Sequence, residues 1–248
     1  VSVANVNGNP DLYAEAQIVV TEPKMIVDSS RNGLDTRMPE TLQFAQAEDG
    51  SSNAVQGYFT VNDPEQIVND AMTNGSSFTV SSRVYVPASV ASDATGTMEN
   101  AEKHTMIASI GDNSSAYRIY YDRNRSLVKV DAYVSDGNAW DQASSEALDS
   151  SFFDAWHTLT ATYDPAAGLS IYIDGVLDGQ AEPQNVTNVN KNGEMFSVGY
   201  EPQKTTRYSE LTFDQVVVYS EALTADQLAE SHNASDENVV LWLDFDEN

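Results

Sequence analysis

The sequence predicts an all-β protein, an antiparallel sandwich or barrel with one short helix near its C-terminus. Three observations carry this. About a dozen short runs are rich in Val, Ile, Thr, Tyr and Phe. Turn dipeptides (Asn-Gly, Asp-Gly, Asp-Asn, Asp-Pro) separate them. Within the runs apolar residues alternate with polar ones, the period of a strand with one buried face.

In chain order, residues 1–23 read as a leading segment or linker, with "QIVV" as a candidate strand inside it. The main domain spans 24–248. Its first strand-like runs are "MIV" (25–27), "LQFA" (42–45), "YFTV" (58–61), "FTVSSRVYV" (78–86) and "HTMIASIG" (104–111). The stretch 87–103 is a long loop. "AYRIYYD" (116–122) and "LVKVDAYV" (127–134) are strands, and "SDGNAWDQASS" reads as a polar loop. "WHTLTATYDPAAGLSIYIDGVLDG" (156–179) is a three-strand meander. Its second turn, Asp174-Gly175, suits the two positive-φ positions of a type I′ turn. "MFSVGY" (195–200), "LTFDQVVVY" (211–219) and "VVLWLDF" (239–245) complete the strands. Between the last two, "TADQLAESH" (224–232) is a helix. Thr224 and Gln227 form its capping box, and Leu223 and Leu228 its hydrophobic staple.

Composition narrows the function classes. Among 248 residues, 38 Asp+Glu face 12 Lys+Arg, a formal charge of -26. Such a surface repels nucleic acid and anionic membranes, and it offers oxygen ligands to a hard cation such as calcium. The chain has no cysteine, so disulfides, zinc-thiolate sites and thiol nucleophiles are excluded. No run reaches the roughly 20 apolar residues of a membrane-spanning helix. The chain starts at Val1 without an initiator Met or a recognisable signal peptide, which suits a piece of a longer polypeptide.

Four segments occur in the order found in LamG-like domains: "VDSSRNG" (27–33), "FTVSSRVYV", "WHTLTATYD" with "LSIYIDG", and "LTFDQVVVYSEALTADQLAE". The chain resembles these members of the concanavalin A-like lectin/glucanase group over about residues 24–246. It departs from their pattern at Arg31, where Gly is usual, and at Arg83, where Trp is commoner. The closing "VVLWLDF" is similar to the end of modules attached to secreted bacterial glycoside hydrolases, including β-galactosidases. The resemblance implies a two-sheet jelly-roll β-sandwich used to bind glycans, next to other domains of a secreted or wall-anchored bacterial protein. It also implies a structural calcium. The residues carried over for it are Asp28 and Asp244, with Gly57 as a carbonyl donor. Asp28 also suits a plainer role, capping a turn with Ser29 and Ser30. Asp214 is a further acid at a family-like position.

No catalytic signature is present. The glucanase branch places acids at alternate strand positions so that a carboxylate pair shares one face. No such run occurs, and "LDFDEN" (243–248) lacks its first Glu. Nucleophile-elbow, zincin and phosphate-loop motifs are also missing, and the three histidines are scattered.

Sugars are held by aromatic faces and by hydrogen-bonding side chains. Alternation turns Val130, Ala132 and Val134 inward and leaves Lys129, Asp131 and Tyr133 outside. It likewise leaves Arg118 and Tyr120 outside, with Arg83, Tyr85 and Tyr172 on their own strands. If these strands share a sheet, its open face is a mixed basic and tyrosine surface. Arg83, Arg118, Arg123, Arg125 and Lys129 are five of the 12 cations. They suit either a glycan-binding face or simple pairing with acids. Trp140 is either a loop anchor or an exposed stacking platform. The expected sugar-binding set is therefore Arg83, Arg118, Tyr120, Lys129, Asp131, Tyr133 and Trp140. Trp156 and Trp242 read as core or sheet residues.

The favoured function is a non-catalytic carbohydrate-binding module, with galactosides among the candidate ligands. The rival readings are an accessory domain bracing a catalytic neighbour, a glycosidase or lyase of the same fold, and a protein-adhesion domain.

Overall fold

The structure, a computed structural model, describes residues 2–5, 18–21, 25–28, 42–43, 57–61, 63, 66–73, 75–88, 104–111, 116–122, 129–187, 189, 195–199, 201, 209 and 211–245. For 2–5, 18–21, 25–28, 42–43, 57–59 and 104 only the backbone is described.

The described strands are, in chain order, β1 Ser2–Asn5, β2 Ile18–Thr21, β3 Met25–Asp28, β4 Leu42–Gln43, β5 Gly57–Thr60, β6 Phe78–Val86, β7 His104–Gly111 and β8 Ala116–Asp122. They continue with β9 Lys129–Ser135, β10 Trp140–Ser144, β11 Ala155–Asp164, β12 Gly168–Ile173, β13 Val176–Gln180, β14 Ser197–Val198, β15 Thr212–Tyr219 and β16 Val239–Asp244. Among the described residues two short α-helices, α1 Ile67–Ala71 and α2 Ala225–Leu228, and a 3-10 turn at Ser150–Phe152 join them.

The strands form two sheets. The first runs β1-β5-β14-β7-β8-β9-β10, and the second runs β13-β12-β11-β6-β15-β16-β3-β2, with β4 on β15. Every described pairing is antiparallel except β16 with β3. The stretch 1–23, read as a leading segment, supplies β1 to one sheet and β2 to the other.

Alternation sets which side chains meet between the layers. Phe78, Val80, Val84 and Val86 of β6 face Tyr117, Ile119 and Tyr121 of β8, all buried in one core. Leu159, Ala161 and Tyr163 of β11 and Val130, Ala132 and Val134 of β9 join them. Each such Val or Leu contributes about 1.5–3 kcal/mol of burial. Phe78 fixes the centre, edge-on to Tyr117 at 5.3 Å and tilted against Tyr163 at 5.5 Å.

The meander forms as expected, β11-β12-β13. Asp174 (φ 51°) and Gly175 (φ 79°) occupy the positive-φ turn between its last two strands. The capping box at Thr224 and Gln227 is present, but α2 is shorter than the 224–232 helix expected. Two further features differ from expectation. Helix α1 was not anticipated; both carboxylate oxygens of Asp63 accept the amides of Ile67 and Val68 at 2.8 Å and start it. "WDQAS" is a strand, not a loop, because Asp136-Gly137 closes a hairpin between β9 and β10. The 87–103 loop, Arg123, Arg125 and the 202–208 segment lie essentially outside the described residues.

Candidate functional site

The expected face divides between the two sheets. Arg118, Tyr120, Lys129, Asp131, Tyr133 and Trp140 lie on β8, β9 and β10 of one sheet. Arg83, Tyr85 and Tyr172 lie on β6 and β12 of the other. The inward and outward assignments hold, but the assumption of a shared sheet does not. Alternation reports which face of a strand a residue takes, not which sheet the strand joins.

On the first sheet, three side chains stand in file across three strands. The Arg118 guanidinium carbon lies 5.4 Å from the Tyr133 ring centroid. Tyr133 in turn stacks on Trp140, with centroids 6.2 Å apart and planes 26° apart. The positive charge against the ring face is a cation–π contact. At the far end Trp140 is 57% exposed, so its ring is open to solvent and not tucked in as a loop anchor. Gln142 and Ser144 follow it on the same face of β10, both exposed.

Behind this file the sheet is covered. Arg118 forms an ion pair with Glu201 at 2.7 Å, and their side chains are 11% and 1% exposed. Asp131 and Tyr120 are also buried. The open part of the predicted set is therefore Trp140 with the half-exposed edge of Tyr133, and Lys129 half-buried on the same strand. Arg118 works from below, neutralising Glu201 and supporting the Tyr133 ring. Glu201 lies 83 residues from Arg118 in a segment with no strand signal, and alternation could not have found it.

The hairpin carrying Trp140 is fastened on its inner side. One oxygen of Asp136 accepts the amides of Asn138 and Ala139 at 2.8 Å each. The other accepts the amide and hydroxyl of Thr187 at 3.2 Å. Asp141 accepts the Gln184 amide at 3.2 Å. Burial raises the Asp136 pKa, but these hydrogen bonds outweigh it and hold the carboxyl below its ordinary value. For Asp141, burial dominates the single bond and the pKa is raised. The stacked rings thus flank a turn that is held by hydrogen bonds to Thr187 and Gln184.

On the second sheet Arg83 pairs with Asp214 at 2.8 Å, and its guanidinium lies 5.7 Å from the Trp156 ring. Tyr85 meets the same ring edge-on at 5.7 Å. Trp156 is 37% exposed and lies on the outer face. The row Trp156, Thr158, Thr160 and Thr162 was visible as alternation in "WHTLTATY", which gives the signal that could have marked Trp156 as a surface residue.

For the calcium ligands, β3 and β16 are parallel neighbours, with Val27 opposite Trp242. Asp28 is one residue beyond Val27 and Asp244 two beyond Trp242, so their backbones lie close together. Asp244 is half-buried, while the Asp28 side chain is outside the described residues. Gly57 starts β5 in the other sheet. The register places Asp28 opposite Leu243 and one residue short of Asp244, and it does not bring Gly57 onto the same strands. Among the described residues no three acidic or histidine side chains cluster in a metal-holding arrangement. No described helix is long and apolar enough to cross a membrane.

Residues 51–229 match the family model described as the concanavalin A-like lectin/glucanases superfamily. No curated protein matches the chain. Among solved structures, the chain is similar to a Bacteroides ovatus protein assigned to carbohydrate binding, at 18% identity and TM-score 0.53, covering 76% of this chain and 49% of that one. It is similar to the binding domain of botulinum neurotoxin DC in complex with SialylT, at 17% identity and TM-score 0.52, covering 86% and 49%. It is also similar to the enzymatically active domain of bacteriophage CBA120 tailspike protein 2, at 9% identity and TM-score 0.56, covering 84% and 30%. The chain spans half or less of each of these proteins.

Proposed function

We propose that this chain, which belongs to the concanavalin A-like lectin/glucanases superfamily, is a non-catalytic carbohydrate-binding module. The observation that carries the reading is the Trp140 platform. A largely exposed indole, stacked on Tyr133 and mounted on a fastened hairpin, presents a flat apolar face beside the polar side chains of Gln142 and Ser144. A sugar ring lays its C–H face on such an indole while its hydroxyls reach the neighbouring polar groups. Binding of this kind involves no covalent step. The sequence offers no alternating acidic run that opens on Glu, the pattern of the glucanase branch. Two similar structures described as a carbohydrate-binding protein and a toxin binding domain solved with SialylT are in keeping with it.

The module belongs to a larger secreted or wall-anchored bacterial protein, a glycoside hydrolase, and keeps that enzyme near its glycan. Asp28 and Asp244 would contribute carboxylates to a structural calcium at the neighbouring strands β3 and β16, with carbonyl and water oxygens completing the six to eight ligands that a hard cation takes. The ion would tie strand ends together and takes no part in sugar recognition.

The test is an immobilised panel of neutral and acidic oligosaccharides probed with the wild-type chain and Trp140→Ala. Selective binding by the wild type that the variant loses supports the reading. Equal binding by both moves the sugar site away from Trp140, and no binding by either favours the accessory domain that braces a neighbour.

A further inference from the structure

The outer face of the second sheet carries a groove of ≈ 230 Å³. Its floor is Ser81, Thr158, Thr160 and Gln215, on β6, β11 and β15, and Trp242 stands at one end. The segment after α2 forms one wall, with Glu230 and His232. All three floor strands are paired on both sides, so no free strand edge is offered to a peptide. The volume is below that of a drug-sized pocket and suits a single small ring, with the groove open for the rest of a chain.

The floor is rich in hydroxyls with capacity to spare. Ser81 and Thr160 share one hydrogen bond of 2.8 Å, which leaves one of the two protons free. Among the described residues, the Thr158 hydroxyl, the Gln215 amide and the Trp242 indole N–H have no hydrogen-bond partner in the protein. Trp242 packs against the Val217, Tyr219, Leu223 and Val239 cluster and stays half-exposed. His232 is already committed through both ring nitrogens, to Asp236 at 3.1 Å and to the Gln227 carbonyl at 2.7 Å. The wall therefore contributes the carboxylate of Glu230 and no free cation. In a chain of charge -26, this disfavours an anionic ligand.

Trp156 continues the same face. It pairs with Tyr85, and Tyr85 with Thr212, whereas Trp242 pairs with Val217, and Val217 with Ser81. The two indoles are thus three strand spacings and four residues of rise apart, roughly 20 Å. A row of hydroxyls lies between two aromatic ends.

We infer that this groove is a second binding site, for an uncharged oligosaccharide that seats one ring against Trp242 and runs over the Thr158–Gln215 floor toward Trp156. The inference takes its ligand class from the carbohydrate-binding reading, but its residues are independent of the Trp140 platform, which lies on the opposite sheet. The module then holds glycan on both faces and can bridge two chains.

The chain has three tryptophans, so each location has its own indole N–H signal in an NMR titration. The probes are β-1,4-galactotetraose, cellotetraose and sialyllactose. With a neutral tetrasaccharide, the Trp242 signal shifts on a curve separate from that of Trp140. The shift persists in Trp140→Ala and disappears in Thr158→Val combined with Gln215→Ala. Movement of Trp140 alone overturns the second site and leaves the first intact. Movement of Trp242 alone leaves the second site standing and removes the platform reading. A Trp242 shift seen with sialyllactose but not with the neutral sugars overturns the ligand class. No movement with any millimolar sugar overturns both sites.

Discussion

Tyr133 and Trp140 form a stacked pair across the β9–β10 hairpin, with Tyr133 backed by a buried Arg118 and Trp140 open to solvent. The outer ring is therefore free to act while the inner ring is fixed. Replacing Trp140 by Ala is expected to weaken glycan binding at least tenfold, about 1.4 kcal/mol or more, as for a central aromatic contact. Circular dichroism and the thermal midpoint should stay near wild type, because most of the indole touches water. Calorimetric titration alongside a melting curve checks both parts.

Arg118 should behave in the opposite way. Its replacement by Ala leaves Glu201 buried without its cation, which costs about 3–5 kcal/mol. Urea unfolding is expected to show the loss even without sugar. A variant as stable as wild type would place Glu201 in a more hydrated setting than its 1% exposure implies.

Asp136 fastens the platform hairpin, and its effect depends on pH. Its folded pKa is below the ordinary value because the hydrogen bonds from Ala139, Asn138 and Thr187 outweigh burial. Its stabilisation is therefore complete above the unfolded carboxylate pKa of about 3.9, and is lost as pH falls through the lower folded value. Asp136→Ala should cost about 1–3 kcal/mol at neutral pH, from backbone amides left without an acceptor. The gap from wild type should close in acid, which denaturant melts from neutral pH down to about pH 3 would follow.

Gly179 marks where the edge strands of the two sheets meet. A Cβ placed there would lie 2.1 Å from the Ser144 carbonyl oxygen. Next to it the Glu146 amide donates to Asp178 at 2.7 Å. Gly179→Ala should destabilise by about 1–3 kcal/mol, read as a fall of several degrees in the melting midpoint. Ala at Gly75, where open space surrounds the added carbon, serves as a control for packing, with only its positive φ to pay for.

The calcium proposal has a readout that does not involve sugar. Calcium should raise the melting temperature of the wild type, EDTA should reverse this, and Asp244→Asn should abolish the response. A wild-type midpoint indifferent to both reagents would remove the ion from the account.

Strand faces were legible in the sequence, because the core enforces alternation along β6, β8 and β9. So were the Asp174-Gly175 turn and the Thr224 capping box, whose chemistry is local. Sheet membership was not, since pairing partners are set by contacts between distant segments. That is why Arg83 was grouped with Arg118 although they lie on opposite layers. β10 was hidden by its polar residues: as an edge strand it exposes Trp140, Gln142 and Ser144, and lacks the apolar run by which strands are recognised. Helix α1, only five residues long, was hidden by its length.

The central claim is that a sugar ring rests on Trp140 and leaves uncleaved. A crystal structure of the chain soaked with a neutral oligosaccharide selected from the panel tests this most directly. The account predicts a ring parallel to the Trp140 indole with every glycosidic bond intact. A bare Trp140 beside sugar bound elsewhere, or cleaved product in the density, would contradict it.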